Sequence, residues 1–174
     1  YGIGTEIYIR RANDVIPEIL GKVSEEETGR EIVPPAVCPA CGHELVQRGA
    51  HLFCPNKLGC KPQIVARLTH FASRDGMDIE TFSEKTAEQL LNERNVRDPA
   101  DLYALTKDDL LGLDRFGDKK AQNLIDALER SKTRDLASFL YALGIPNTGK
   151  ATANMLADHY RSLDAVMKAT PEEL

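Results

Sequence analysis

Four cysteines crowded into 23 residues constrain this chain more than anything else in it. They are Cys38 and Cys41, then Cys54 and Cys60, in the spacing C-x2-C-x12-C-x5-C. A C-x2-C knuckle turns both sulfurs and the neighbouring backbone amides toward one metal ion, and a second pair a dozen residues on completes a tetrahedral S4 site. Gly42 supplies the permissive backbone that such a knuckle commonly uses. The stretch between the pairs, residues 44–53, reads as a short hairpin turning at Arg48 and Gly49. Two disulfides would need an oxidising compartment, which nothing in the sequence signals. A thioredoxin-type redox pair would leave Cys54 and Cys60 without a role and lacks a βαβ context. Tetrahedral sulfur also suits iron, but a rubredoxin-like site normally has two short knuckles, and the second here is C-x5-C. The reading is a structural zinc held by Cys38, Cys41, Cys54 and Cys60. Four thiolates saturate it, so His43, His51 and His70 are not required as ligands, and a closed site folds the chain without doing chemistry.

On either side of the cysteines the periodicity differs. Residues 5–11 alternate in the β manner, with Ile7 and Ile9 on one face. Residues 15–20 are apolar and β-compatible, though Pro17 keeps them off a central ladder position. Gly21 through Pro35 is polar and acidic and reads as a linker. Two strands cannot bury a core alone, so this part is expected to lean on a neighbour. From Pro62 onward only helical spacing appears: Ile64, Val65 and Leu68, then amphipathic stretches at Thr86–Arg94, Lys107–Leu111, Asp118–Arg130, Arg134–Leu143, Lys150–Tyr160 and Leu163–Lys168. The expected fold class is therefore mainly α with a small β part. The chain opens without Met and closes on Thr170, Pro171 and Glu173, placed as N-cap, first helical residue and capping-box acid. It reads as a fragment at both ends.

Three helical segments resemble one another: residues 78–87, 112–121 and 144–153. Each has a tight turn, then Gly or Ser, then polar residues and an Ala in the next helix. This is the helix-hairpin-helix signature, in which a turn opens the second helix with its backbone N–H groups exposed as a phosphate site. Glycine lets a phosphate approach the backbone, and a following Lys adds charge; such contacts read DNA backbone and not sequence. The second unit offers Arg115, Gly117, Lys119 and Lys120, and the third offers Thr148, Gly149 and Lys150. The first has Thr81 and Ser83 where glycines are usual, so packing is its expected role. A fourth unit would begin at Leu163–Lys168. One such hairpin could be an ordinary αα turn with a glycine cap; three within one helical region favour the signature.

Net charge is −5, which argues against coating nucleic acid by bulk electrostatics. Residues 1–37 carry four basic against seven acidic side chains, residues 38–75 five against two, and residues 76–174 thirteen against eighteen. Only the cysteine-bearing segment is basic, through Arg48, Lys57, Lys61, Arg67 and Arg74, so DNA contact by the acidic part must be local and geometric. No apolar run approaches the roughly 18 residues of a membrane span and no export signal opens the chain. A cytoplasmic protein with no membrane partner is expected.

The order of these features and several phrases resemble the bacterial NAD-dependent DNA ligases. Arg10-Arg11-Ala12-Asn13-Asp14-Val15-Ile16-Pro17 is similar to an OB-domain phrase of that family, with Asn13 where Gly is usual; Asn tolerates the same left-handed backbone. The cysteine spacing matches the family's zinc finger. His70-Phe71-Ala72-Ser73-Arg74 with Met77-Asp78-Ile79, and the run Phe139–Ile145, match phrases of its helical domain. The resemblance implies an OB-fold remnant and linker at 1–35, a four-cysteine zinc finger at 36–62 and a helix-hairpin-helix domain at 63–174. It implies a parent enzyme that adenylates a lysine using NAD and magnesium and seals nicks in duplex DNA. That lysine lies in a Lys-x-Asp-Gly motif, which is not found here, so no catalytic residue, NAD or magnesium is expected in this stretch. Its implied role is to clamp nicked double-stranded DNA by the phosphate backbone, with Arg10 and Arg11 as OB-side contacts, beside upstream adenylation and OB domains of the same polypeptide. A non-catalytic zinc and hairpin scaffold of a repair protein is the alternative; a zinc-stabilised protein adaptor and a rubredoxin-like electron carrier stand further off.

Overall fold

The computed structural model describes residues 1–12, 15–25, 29–170 and 173. Asn13 and Asp14 of the arginine phrase, and Pro171, Glu172 and Leu174 of the closing segment, lie outside the described residues. Strands β1 (Ile7–Ala12) and β2 (Ile16–Lys22) pair antiparallel as a two-stranded sheet, with Arg10 opposite Glu18 and Arg11 opposite Pro17. Among the described residues each strand pairs along one edge only, and an unpaired edge is where a proline is tolerated. Ile9, Ile16, Ile19 and Leu20 are all more than half exposed, as two strands without a partner layer must leave them. The linker expected from Gly21 starts later: Gly21 and Lys22 continue β2 opposite Tyr8 and Ile7, and Arg30 exchanges backbone hydrogen bonds with Ile3 at 2.8 and 2.9 Å. Backbone pairing needs no apolar side chain, so polar composition did not prevent it.

Strands β3 (Val46–Arg48) and β4 (His51–Phe53) form the hairpin between the cysteine pairs, with Gly49 at φ +61 in its turn. All later described elements are helices: α1 (Lys61–Ala72), α2 (Glu84–Arg94), α3 (Pro99–Leu102), α4 (Lys107–Leu111), α5 (Asp118–Ser131), α6 (Leu136–Ala142), α7 (Lys150–Tyr160) and α8 (Leu163–Lys168). The one-turn α3 lacks the apolar periodicity by which the others are read. It forms because Asp98 and Asp101 make a reciprocal capping box around Pro99 at the first helical position. The helix expected from Arg134 begins at Leu136, because Asp135 stays extended and its carboxylate accepts from the Ser138 amide at 2.8 Å.

One core unites α1 to α5. Ile64, Leu68, Leu90, Leu102, Leu110 and Leu124 are essentially removed from water, each contributing about 1.5–3 kcal/mol. Ser131 is buried with them, but its hydroxyl donates to Leu128 O and meets Tyr103 Oη at 2.8 Å, so that hydroxyl is satisfied. The family phrases around His70 and Tyr141 meet in space: His70 Nε2 lies 2.9 Å from Tyr141 O, and the rings sit 4.8 Å apart. This joint ties the end of α1 to α6.

Two helix caps make stability acid-sensitive. The Thr106 hydroxyl and amide hold the Asp109 carboxyl below its usual range, and the Ser138 amide and hydroxyl do the same for Asp135. A folded pKa below the unfolded one gives stability that is complete above the unfolded value, about 4, and is lost as pH falls through the folded value. Thermal melts should therefore fall on acidification below about pH 4, and Asp135→Asn should flatten part of that fall. An identical acid profile in the variant would contradict the assignment.

Candidate metal centre and nucleic-acid interface

The knuckle is built by backbone geometry. Cys38 N–H donates to His43 O at 2.7 Å, Gly42 N–H donates to Cys38 O at 2.8 Å, and Gly42 takes φ +71. On the other side, the Asn56 side chain accepts from Gly59 N–H and its carbonyl accepts from Cys60 N–H, each at 3.0 Å, curling the chain so that Cys60 becomes the N-cap of α1. The four Sγ atoms lie within 4.8 Å of one another, with Cys41 to Cys54 at 3.6 Å and Cys38 to Cys60 at 4.0 Å. A tetrahedron with metal–sulfur bonds of about 2.3 Å has edges of about 3.8 Å, so the cluster fits one S4-coordinated ion. A hydrogen bond from the His43 backbone holds the Cys41 thiol down at about 6, while burial pushes Cys54 up to about 12. A divalent cation takes its sulfur ligands as thiolates, which would resolve the opposed tendencies of Cys41 and Cys54. The histidines stand aside: His51 packs on Phe53, and His70 is engaged with Tyr141.

The metal module is pinned to the helices. Gln63 donates to Cys54 O at 3.2 Å and Arg97 donates to Leu58 O at 3.3 Å. Two charges of the basic segment are also spent on packing: Lys61 reaches Asn92, and Arg67 donates to Arg97 O at 2.6 Å.

The three repeats agree in backbone detail. At the fourth position of each stands a non-glycine residue in the left-handed region: Thr81 at φ 67, Arg115 at φ 60 and Asn147 at φ 64. At the sixth stands the N-cap of the following helix: Ser83 for α2, Gly117 for α5 and Gly149 for α7. At the tenth stands a buried alanine, Ala87, Ala121 or Ala153. The caps then divide. Ser83 Oγ accepts from Thr86 N at 3.2 Å, so the first hairpin satisfies its own helix end. Gly117 and Gly149 make no side-chain cap. Their φ values of −78 and −79 suit any residue, and a Cβ on either would meet nothing within 4 Å. Neither internal packing nor backbone strain therefore calls for glycine. Its effect is to leave first-turn amides open to an approaching group.

The surrounding cations are placed unequally. Arg115 is exposed on the second hairpin with Asp114 3.5 Å away, Lys119 is exposed, and Lys120 Nζ lies 3.7 Å over the Phe116 ring. Lys107 pairs at 2.7 Å with Asp118 in the first turn of α5. Thr148 is half-buried beside Gly149, and Lys150 pairs with Asp75 at 2.5 Å. Arg10 pairs with Glu18 across β1 and β2 at 2.8 Å, and Arg11 projects from the same strand, exposed. Arg10 and Arg11 sit on β1, whose partner is β2, whereas the hairpin residues sit around the starts of α5 and α7. Asp75, Arg74 and Arg134, none of them a candidate contact from the sequence, line a cavity with Lys150. They lie far from Lys150 in the chain or on another element, and no local spacing signals them.

Comparison with known proteins adds what the chain is similar to. Residues 77–130 match the model described as a SAM-like helix-hairpin-helix tandem, and residues 138–174 match the helix-hairpin-helix motif model. A DNA ligase of Alkaliphilus oremlandii is 58% identical over 173 residues, 99% of this chain and 26% of that protein. DNA ligase 2 of Clostridium acetobutylicum and the DNA ligase of Clostridium novyi are each 55% identical, with the same coverage of both chains. The chain is homologous to DNA ligases along its whole length. It spans about a quarter of the length of these ligase relatives. The hairpin matches and the four-cysteine cluster fit the C-terminal region of such a ligase. No described helix is long and apolar enough to cross a membrane.

Proposed function

We propose that this chain is the DNA-gripping C-terminal region of a cytoplasmic NAD-dependent DNA ligase. The single observation that carries the reading is the pair of glycine N-caps, Gly117 and Gly149, at equivalent positions of two hairpins where neither packing nor φ requires glycine. Two phosphates of a duplex backbone fit these amides, with Lys119, Lys120 and Arg115 serving the first and Thr148 and Lys150 the second. Arg10 and Arg11 serve a further phosphate from the strand pair. Cys38, Cys41, Cys54 and Cys60 hold zinc, which fixes the join between the strands and the helices. The division into residues 1–35, 36–62 and 63–174 follows from these roles, although α1 starts at Lys61, inside the zinc segment.

In the whole enzyme, an upstream adenylation domain would supply the chemistry with NAD and magnesium: AMP would pass to a lysine with release of nicotinamide mononucleotide, then to the 5′-phosphate of a nick, and attack by the 3′-hydroxyl would seal the strand and release AMP. The residues of this chain take no part in those bond changes. They hold the duplex while the adenylation and OB domains of the same polypeptide act on it. The exposed β1–β2 face supports a missing partner layer of that kind. Phosphate contacts carry no sequence information. This chain should therefore bind two nicked duplexes of unrelated sequence with equal affinity, and single strands more weakly, in an anisotropy assay. A marked preference for one duplex sequence would defeat the reading.

A further inference from the structure

A cavity of about 220 Å³ opens beside the start of α7, lined by Arg74, Asp75, Arg134, Ser138, Lys150 and Asn154. Three of these residues are cationic, and one carboxylate stands among them. Asp75 Oδ1 lies 2.5 Å from Lys150 Nζ, the residue directly after the Gly149 cap. The carboxylate is held there by a brace. Arg134 donates through Nε to Gly76 O at 3.2 Å, and through a second nitrogen to Arg74 O at 3.3 Å and Ser138 Oγ at 3.2 Å. The loop carrying Asp75 is thereby fastened to α6. Both partners of the ion pair remain about half exposed, so an incoming anion can reach them.

We infer that Asp75 is an internal competitor for the third hairpin: its carboxylate occupies the cation that a DNA phosphate takes, and binding exchanges one ion pair for the other. This rests on the reading of Gly149 and Lys150 as a phosphate contact. Asp75 is a positioning residue, setting how tightly this hairpin grips and how readily it lets go. A carboxylate and a phosphate oxygen accept the same ammonium hydrogens, so the two cannot both be served fully by Lys150. The exchange also explains why a cation beside an open helix end need not make a strongly binding protein in an acidic domain.

The test is a double-mutant cycle on nicked-duplex affinity, with Asp75→Asn, Lys150→Ala and the double variant of this chain. An exposed pair of this kind is worth little on its own, so Asp75→Asn should tighten binding by about two- to fivefold. The gain should vanish when Lys150 is already Ala. Asp75→Ser, which loses the carboxylate in a smaller side chain, should reproduce the gain. Unchanged or weaker binding in both aspartate variants, or an equal gain in the Lys150→Ala background from loss of negative charge alone, would overturn the inference. If Lys150→Ala binds as tightly as the parent, the phosphate role of this hairpin fails first, and the inference with it.

Discussion

Cys60→Ser should abolish metal binding and unfold the cysteine module while leaving the helical core standing. Zinc content measured on the purified chain should drop from about one ion per molecule to near zero. The module has almost no other support. Within it only Cys38 and Cys60 are buried, whereas Val37, Val46, Leu52, Phe53 and Leu58 are all well exposed. Metal binding supplies the folding free energy of such sites, roughly 10–16 kcal/mol in isolated zinc-finger peptides near neutral pH. Hairpin amides at residues 46–53 should lose protection from hydrogen exchange, and the start of α1 should fray because the metal no longer anchors Cys60, the residue from which that helix begins. The core from Leu68 to Leu124 draws on helix packing, so most of the helical circular-dichroism signal should survive. Full zinc content with an unchanged melt in the variant would disprove the S4 site.

Gly117→Val combined with Gly149→Val should weaken duplex binding by about a hundredfold, with each single change giving about tenfold. Each substitution blocks hydrogen bonds to a charged acceptor, worth about 1.5 kcal/mol or more, and well-separated sites add. The protein should still fold. A Cβ at either position meets nothing within 4 Å, and the φ values suit valine. Loss of a good cap for a poor one costs about 1 kcal/mol per helix, visible as a modest drop in melting temperature. Ser83→Val in the first hairpin is the matched control. Ser83 Oγ already accepts the Thr86 amide, so this change should lower stability without a comparable loss of DNA affinity. Equal losses of affinity from all three positions would mean that the glycines act through folding and not through contact.

The cysteine site was legible because spacing alone fixes which sulfurs can converge, and the long helices because Ile64, Val65 and Leu68, or Leu124, Ala127 and Leu128, recur with helical period. The repeat was legible as a register of turn, cap and buried alanine. Its left-handed position was less so, since Thr81, Arg115 and Asn147 share no residue type. The turn they close drives them into that region, against the preference of Thr81 and Arg115, while Asn147 tolerates it. The short α3 was readable only through Asp98 and Asp101, whose capping box substitutes for a core-facing stripe. The extension of β2 through Gly21 and Lys22 escaped because backbone pairing with Tyr8 and Ile7 leaves no apolar trace. Asp75 against Lys150, and Arg134 against Gly76 and Arg74, are products of tertiary packing between segments more than fifty residues apart. No pattern within either segment announces them.

The measurement closest to the central claim is the salt dependence of nicked-duplex binding by this chain, compared with the Gly117→Val, Gly149→Val double variant. Counterion release makes the slope of log affinity against log salt report phosphate contacts, at about 0.9 per contact on duplex DNA. Phosphate gripping by two hairpins and the arginine strand predicts a shallow slope of about three contacts, reduced by about two in the double variant. A parent slope near zero, or an identical slope in parent and variant, would contradict the assignment of Gly117 and Gly149 as phosphate contacts.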